Sequence, residues 1–253
     1  MTITPYGEWS LCGVEFALEL WPDVFQPTST SQLIAETLDV QPGEVVIDLG
    51  CGSGFFSILA AKRGASKVYA VDIMPRAVEL TLHNARRNGV ASCVEAFAGS
   101  LFEPLPSVHA DLVIDDVSGI AEETARATPW YPPSIPSGGT DGAEPTVAML
   151  RKVRQYLLPN GRLVFPVLSL ANEQRILAEA QRVFAELRLR AQRLFPIPQT
   201  LQDALKRLQE CLQTGVLRLV QRGSRVCWQL RVFEARVASS IRKDASSHDP
   251  TPC

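Results

Sequence analysis

The sequence lacks the signatures of several common sites and compartments. Its six cysteines form no Cys-x-x-Cys pair and none of its three histidines lies at ligand spacing, so we expect no metal. Neither sign of charge is in excess: 25 Lys and Arg against 27 Asp and Glu leave a net charge of −2, which favours no nucleic-acid partner. No apolar run is long enough to cross a bilayer, and the N-terminus lacks the pattern of a signal peptide. These absences predict a cytoplasmic protein with reduced thiols and no membrane partner.

Two common nucleotide-binding patterns are also missing. The glycines follow the order Asp48-x-Gly50-x-Gly52-x-Gly54, which is not Gly-x-Gly-x-x-Gly, and no Lys-Ser/Thr pair ends the run. Instead, an apolar, β-branched stretch enters Asp48, and an apolar pattern typical of a helix follows Gly54. Cys51 supplies a small residue inside the turn. The pattern predicts a buried parallel strand that delivers a ligand to the start of a helix.

Apolar strand patterns alternate with helical patterns along most of the chain. This alternation predicts an α/β fold with a doubly wound, mainly parallel sheet, and a ligand at the carboxyl ends of its strands. Asp72 ends the second predicted strand, where a carboxylate suits the two hydroxyls of a ribose. The predicted strands are 44–49, 67–72, 92–97, 110–115, 161–167, 188–195 and 225–237.

The segment Asp48–Ile58 resembles the first motif of class I S-adenosylmethionine (SAM)-dependent methyltransferases. The run Val71–Val78 resembles their ribose-binding strand end. The resemblance implies a Rossmann-like fold that uses SAM as methyl donor or as sole substrate. It implies cofactor binding by Asp48, Gly50, Cys51, Gly52, Gly54, Asp72, Ile73, Ser100, Leu101 and Asp115.

Two further segments resemble protein glutamine methyltransferases and their relatives. In the segment after the third strand, those proteins commonly carry an Asp that bonds the adenine amino group, and this chain has Ser100, whose hydroxyl can accept the same bond. The run Phe25–Leu33 resembles the segment that leads into their domain, and it is equally a capped helix start. On this basis we expect three regions: an aromatic-rich extension or lid at 1–30, a SAM-binding catalytic domain at 31–238 and a disordered tail at 239–253.

The decisive departure from those relatives comes after the fourth strand. Methylases of amide or exocyclic nitrogens carry Asn/Asp-Pro-Pro-Tyr/Phe there, whereas this chain has Asp115-Asp116-Val117-Ser118-Gly119. One of the two carboxylates is expected to bind an amine or to act as a base; the alternative is that one merely caps the loop.

A long Pro- and Gly-rich loop follows, at 117–142, and predicts a substrate lid. Trp130 and Tyr131 in this loop offer aromatic faces that attract a sulfonium through the cation–π effect. Tyr6 in the N-terminal extension is expected to complete such a cage, unless it only packs on the domain.

These features favour methyl transfer from SAM to a small molecule in secondary metabolism. The main alternative is a lyase that cyclises SAM itself into azetidine-2-carboxylate and methylthioadenosine. A protein methyltransferase is a third hypothesis, against which the missing Asn-Pro-Pro motif counts, and a non-enzymatic SAM-binding scaffold is a fourth.

Overall fold

The computed structural model describes residues 6–11, 13–128, 131 and 135–237. Its strands are β1 (Tyr6–Leu11), β2 (Val14–Glu19), β3 (Val45–Leu49), β4 (Lys67–Asp72), β5 (Val94–Ala98), β6 (Ala110–Asp115), β7 (Leu157–Leu168), β8 (Glu186–Pro196), β9 (Val220–Arg222) and β10 (Arg225–Arg236). Its α-helices are α1 (Ser29–Thr37), α2 (Phe55–Lys62), α3 (Pro75–Arg87), α4 (Glu122–Arg126), α5 (Glu144–Lys152), α6 (Glu173–Val183), α7 (Gln199–Ala204) and α8 (Gln209–Gln213).

The main sheet has the strand order β5-β4-β3-β6-β7-β10-β8, with β9 paired to β10. The five strands from β5 to β7 are parallel, and β10 runs antiparallel to both of its long neighbours. The predicted α/β fold with a doubly wound, mainly parallel sheet is confirmed. The order of strands reverses between β3 and β6, so the carboxyl ends of these two strands frame the crevice where such sheets bind ligands.

Strand β3 is apolar without alternation because both of its faces are covered. Val46 belongs to a core that it shares with Leu59 of α2, whereas Ile47 belongs to a second core that it shares with Met149 of α5. All four side chains are fully buried. A strand held from both sides places the loop that follows it in a fixed position.

Strands β1 and β2 form an antiparallel hairpin within the region predicted as an aromatic-rich extension or lid. The hairpin docks on α3 through two amide side chains. Asn84 and Asn88 lie one helical turn apart, and each side-chain amide accepts a hydrogen bond from a backbone N–H of β2 and donates one to the C=O of the same residue. The distances are 2.9 and 3.0 Å for Asn84 with Glu19, and 3.3 and 2.8 Å for Asn88 with Ala17. These amides replace a neighbouring strand for an otherwise unpaired edge.

The predicted division at 30/31 falls inside α1, which begins at Ser29 after the N-cap Thr28. Late in the chain, α7 and α8 are two short helices. The tail predicted at 239–253 lies outside the described residues. Within the described part of the chain, none of the helices combines the length and apolarity needed to span a membrane.

Candidate active site

The glycine loop after β3 is the floor of the site, and its backbone requires glycine at two places. Gly50 and Gly52 have φ angles of +77° and +51°. A Cβ on Gly50 would lie 2.8 Å from the carbonyl oxygen of Asp116, and one on Gly52 would lie 3.0 Å from that of Phe25. The loop is therefore held between the end of β6 and the N-terminal segment, with no room for a side chain on either side.

Asp72 at the end of β4 lies beside this loop. Its carboxylate accepts one hydrogen bond from the Gly52 N–H and one from the Met74 N–H, both at 2.9 Å. Burial raises the pKa of Asp72, and the two amide donors oppose that shift. Each oxygen keeps a free lone pair, so a fixed carboxylate with two open acceptor sites faces the crevice, which is the arrangement that suits a ribose.

A cavity of about 410 Å³ opens above the loop. It is lined on one side by Asp72, Ile73, Ser100 and Leu101. Ile73 is 57% exposed, although it is a large apolar residue, and Leu101 has a φ of +50°. An exposed apolar side chain and a backbone in the left-handed region both cost free energy, and an aromatic ring that packs on these two residues would offset part of that cost. With the glycine cradle and Asp72, this side of the cavity fits a nucleoside with an amino acid arm.

Asp48, predicted to surround that amino acid arm, lies beneath the loop instead. It is fully buried and is not among the described residues that line the cavity. One carboxyl oxygen accepts a hydrogen bond from the Ser57 hydroxyl, while the other has no partner among the described residues. Burial raises its pKa to about 7. Asp48 therefore supports the loop from below rather than forming the wall of the cavity.

The opposite side of the cavity holds Asp116. Its Oδ2 accepts a hydrogen bond of 2.7 Å from the Ser31 hydroxyl, and burial outweighs this bond and raises its pKa to about 6. Ser31 lies in the first turn of α1, where it also accepts the Thr28 N–H as half of a capping box. The capping pattern predicted the start of α1; no sequence signal linked Ser31 to a carboxylate 85 positions away.

Asp115 points away from the cavity. It is fully buried, and neither carboxyl oxygen has a hydrogen bond of normal geometry within the described part of the structure. Burial first, and then the charge of Asp116, raise its pKa to about 7, although the Val117 amide and the Thr146 hydroxyl oppose the shift. Asp116 therefore lines the cavity, whereas Asp115 lies behind its wall.

Of the residues predicted to form an aromatic cage, Tyr6 and Tyr131 belong to the described part of the chain, and Tyr131 lies at the cavity. Its ring packs on Phe25 with centroids 5.2 Å apart, and burial raises its pKa to about 12. Trp130 lies outside the described residues. Tyr6 does not line the cavity: it is half exposed on β1, where Arg87 lies over its ring at 4.8 Å. Its placement in the cage is corrected accordingly, because the hairpin docks on α3 and carries Tyr6 with it.

Ser53 and Glu144 also line the cavity and were not singled out by the sequence analysis. Ser53, inside the glycine loop, is 2% exposed and its hydroxyl has no hydrogen-bond partner among the residues that the structure describes. Glu144 lies at the first turn of α5 and accepts the Thr140 N–H at 3.1 Å. The described residues hold no group of three or more His, Cys, Asp or Glu that could bind a metal ion.

Comparison of the chain with known proteins finds several methyltransferases that are similar to it. The family model described as "Ribosomal protein L11 methyltransferase (PrmA)" matches residues 26–125. A ribosomal protein L11 methyltransferase from Pelotomaculum thermopropionicum is 41% identical over 100 residues, which cover 40% of this chain and 32% of that protein. A Methanocaldococcus jannaschii protein, named provisionally as a protein N5-glutamine methyltransferase, is 30% identical over 157 residues, covering 62% of this chain and 78% of that protein.

The fold is shared with a solved methyltransferase structure. The T. thermophilus 16S rRNA N2 G1207 methyltransferase, in complex with AdoMet and guanosine, matches with a TM-score of 0.60 at 15% identity, covering 94% of this chain and 51% of that one. At this identity the match shows the fold alone.

These relatives correct the predicted partners. The two relatives by sequence are named for a ribosomal protein and for a protein glutamine, so the prediction of a small-molecule substrate is wrong. Their names also give no support to secondary metabolism or to the cyclisation of SAM. The predicted class of protein is confirmed: this chain belongs to the class I S-adenosylmethionine-dependent methyltransferase superfamily.

Proposed function

We propose that this protein transfers a methyl group from SAM to a nitrogen atom of a protein. The observation that carries the proposal is the division of one cavity into two walls: Asp72 with its free acceptor sites on one, and Asp116 on the other, with the glycine loop between them. SAM, when bound, supplies an electrophilic methyl group on its sulfonium.

The wall on the side of Asp72 would hold the donor. The Asp72 carboxylate would accept hydrogen bonds from the ribose hydroxyls, and Ile73 and Leu101 would pack on the adenine ring. The backbone groups of the glycine loop and the start of α2 would hold the amino acid arm, because the first N–H groups of a helix attract a carboxylate. The buried hydroxyl of Ser53 can donate to the same carboxylate, which would satisfy an otherwise unpaired group.

The wall on the side of Asp116 would hold the acceptor. A protonated amine has no free lone pair, so it must first lose a proton; its nitrogen then forms a bond to the methyl carbon while the carbon–sulfur bond breaks with its electron pair going to sulfur. Asp116, with a pKa raised to about 6, is ionised at neutral pH yet more basic than an ordinary carboxylate, which suits it to attract the amine and take that proton. Holding the two reactants in line would supply most of the rate.

A protein acceptor is favoured by the chemistry of this wall and by the relatives. A carboxylate attracts a cationic amine, and Tyr131 and Phe25 beside it offer apolar faces to the methylene groups of a side chain. Two of the relatives are named as methyltransferases of proteins. The absence of Asn/Asp-Pro-Pro after β6 argues for an amine rather than an amide, since that motif accepts the hydrogen bonds of a planar amino group.

The test uses the purified protein with SAM labelled on its methyl group. It is incubated separately with a ribosomal protein fraction, with ribosomal RNA and with no acceptor, and the label and the nucleoside products are measured. The proposal expects label in the protein fraction and S-adenosylhomocysteine as product, both reduced at least tenfold in Asp116→Asn. Label in RNA alone would overturn the choice of acceptor, and methylthioadenosine formed without any acceptor would overturn methyl transfer.

A further inference from the structure

The segment that connects β8 to β10 has a charge unlike that of the rest of the chain. Residues 197–225 contain five basic and two acidic residues, whereas the whole chain contains 25 and 27. Three of the basic residues are Arg218, Arg222 and Arg225, which lie in or next to the hairpin of β9 and β10. The surplus of positive charge is therefore local and cannot be read from the net charge of −2.

Arg222 and Arg225 face each other across the tip of this hairpin. The Gly223-Ser224 turn joins them, and the register pairs them directly. Directly paired residues of an antiparallel ladder share one face of the sheet, so the two guanidinium groups repel each other. Both residues are exposed, and within the described residues neither forms an ion pair.

Two arginines that lie closer to the domain differ from those of the tip, because both have a carboxylate partner. Arg218 and Arg231 share the single carboxylate of Glu173, with N–O distances of 2.7 and 2.6 Å. Arg218 also donates to the side-chain oxygen of Gln229 at 2.9 Å. Closer to the domain the cations are thus tied down, and at the tip they are free to meet an external anion.

The tip lies on the side of the sheet where the cavity opens. Leu168, the last residue of β7, lines the cavity and pairs with Leu230 of β10. Arg225 precedes Leu230 by five residues, at the start of β10, and β10 runs antiparallel to β7. The tip therefore extends about 17 Å beyond that wall, at roughly 3.3 Å per residue. A small acceptor would not reach from the cavity to the tip, whereas a protein whose side chain enters the cavity would pass close to it.

We propose that Arg222 and Arg225 form a docking site for an acidic segment of the protein acceptor, an inference that rests on the proposed function. Guanidinium groups pair with carboxylates through two parallel hydrogen bonds, so two neighbouring arginines match a short run of Asp or Glu. An acidic peptide is favoured over RNA because two neighbouring guanidinium groups match a short run of carboxylates, whereas affinity for a nucleic-acid backbone grows with the number of phosphates that are neutralised.

The experiment measures binding directly, without methyl transfer. Fluorescent poly-L-glutamate is titrated into the wild-type protein and into the double variant Arg222→Gln/Arg225→Gln. The matched control is Arg182→Gln/Arg188→Gln, which removes the same charge from exposed arginines that pair with Glu179 and Glu186. We expect the tip variant to bind poly-L-glutamate roughly fivefold more weakly, the control to bind as wild type, and added salt to weaken binding.

Three outcomes would overturn the docking site: no binding of poly-L-glutamate to the wild-type protein, an equal loss in both double variants, or tighter binding of poly-uridylic acid that the tip variant alone loses. The affinity for SAM and the circular dichroism spectrum of the tip variant should equal those of wild type, which excludes misfolding. Because the readout is binding, a failure of methyl transfer with tip-dependent binding intact would contradict the proposed function and leave the docking site standing.

Discussion

The two walls of the cavity are built in different ways. The donor wall comes from a short stretch of chain, from the glycine loop to Leu101, and the carboxylate of Asp72 has two backbone donors. The acceptor wall joins residues far apart in sequence, Ser31, Asp116 and Tyr131, and the carboxyl group of Asp115 behind it has no normal hydrogen bond in the part of the chain described. The carboxylate of the donor wall is held in place by backbone donors before any ligand binds, whereas the carboxylate of the acceptor wall is held by a side chain from a distant part of the chain.

The largest effect is expected where the two walls touch. Gly50→Ala would place a methyl group 2.8 Å from the Asp116 carbonyl oxygen at a φ of +77°. The left-handed backbone alone costs an L-residue about 1 kcal/mol, and the contact adds to it, so we expect a loss of at least about 2 kcal/mol in the free energy of unfolding together with loss of SAM binding. Chemical denaturation and calorimetry measure the two effects.

The matched control for that prediction is Gly89→Ala. Gly89 has a similar φ of +70°, but a Cβ there would have nothing within 4 Å. This variant should lose only the backbone contribution of about 1 kcal/mol and should bind SAM normally. Equal losses in the two variants would mean that the contact between the glycine loop and Asp116 does not matter.

The donor wall alone is tested by Asp72→Asn. The change removes the charge and half of the acceptor capacity toward the ribose, while an amide oxygen can still accept one loop N–H. Hydrogen bonds to a charged group contribute about 1.5–3 kcal/mol, so we expect SAM affinity to fall by roughly 10- to 100-fold in calorimetry. Asp39→Asn, at an exposed position outside the cavity, serves as the control. An unchanged affinity in Asp72→Asn would remove Asp72 from the ribose site.

The carboxyl group beneath the loop should make stability depend on pH. The pKa of Asp48 is raised to about 7 in the folded protein, above its unfolded value near 4, so between these values the folded state binds the extra proton. Stability is therefore expected to fall as the pH rises from about 4 to 7. Asp48→Asn should reduce the difference between the free energies of unfolding at pH 5 and pH 8, by up to about 3 kcal/mol. A difference as large as in wild type would show that other groups cause it.

The smallest effect is expected on the acceptor wall. Ser31→Ala removes the hydroxyl that stabilises the ionised form of Asp116, so the pKa of Asp116 should rise further above 6. If Asp116 must be ionised for turnover, the acidic limb of the pH–rate profile should move upward by about one unit, with SAM affinity unchanged. Ser29→Ala, at an exposed position in the same helix turn, is the control. An unmoved profile would mean that Asp116 is not the titrating group.

The same contrast explains what could be predicted from the sequence. The glycine loop and Asp72 are local features whose spacing follows from one strand-turn-helix unit, so they identify the fold and the superfamily. The hairpin of β1 and β2 was missed because it depends on Asn84 and Asn88, which bond it from α3. Asp48 was placed on the wall because its position in the motif says nothing of which side of the loop its side chain takes.

The size of the acceptor could not be predicted for a related reason. The residues after β6 set the chemistry of the acceptor nitrogen, and a missing Asn-Pro-Pro motif gives no information on what the nitrogen is attached to. That depends on surfaces beyond the cavity, such as the tip of the β9–β10 hairpin, whose arginines come together only through strand register.

The most direct test of the two-walled cavity is a crystal structure of the protein with S-adenosylhomocysteine. We expect the ribose hydroxyls within hydrogen-bonding distance of the Asp72 carboxylate, the adenine between Ile73 and Leu101, and the sulfur facing Asp116. A ribose bound away from Asp72, or a sulfur turned away from Asp116, would contradict the account.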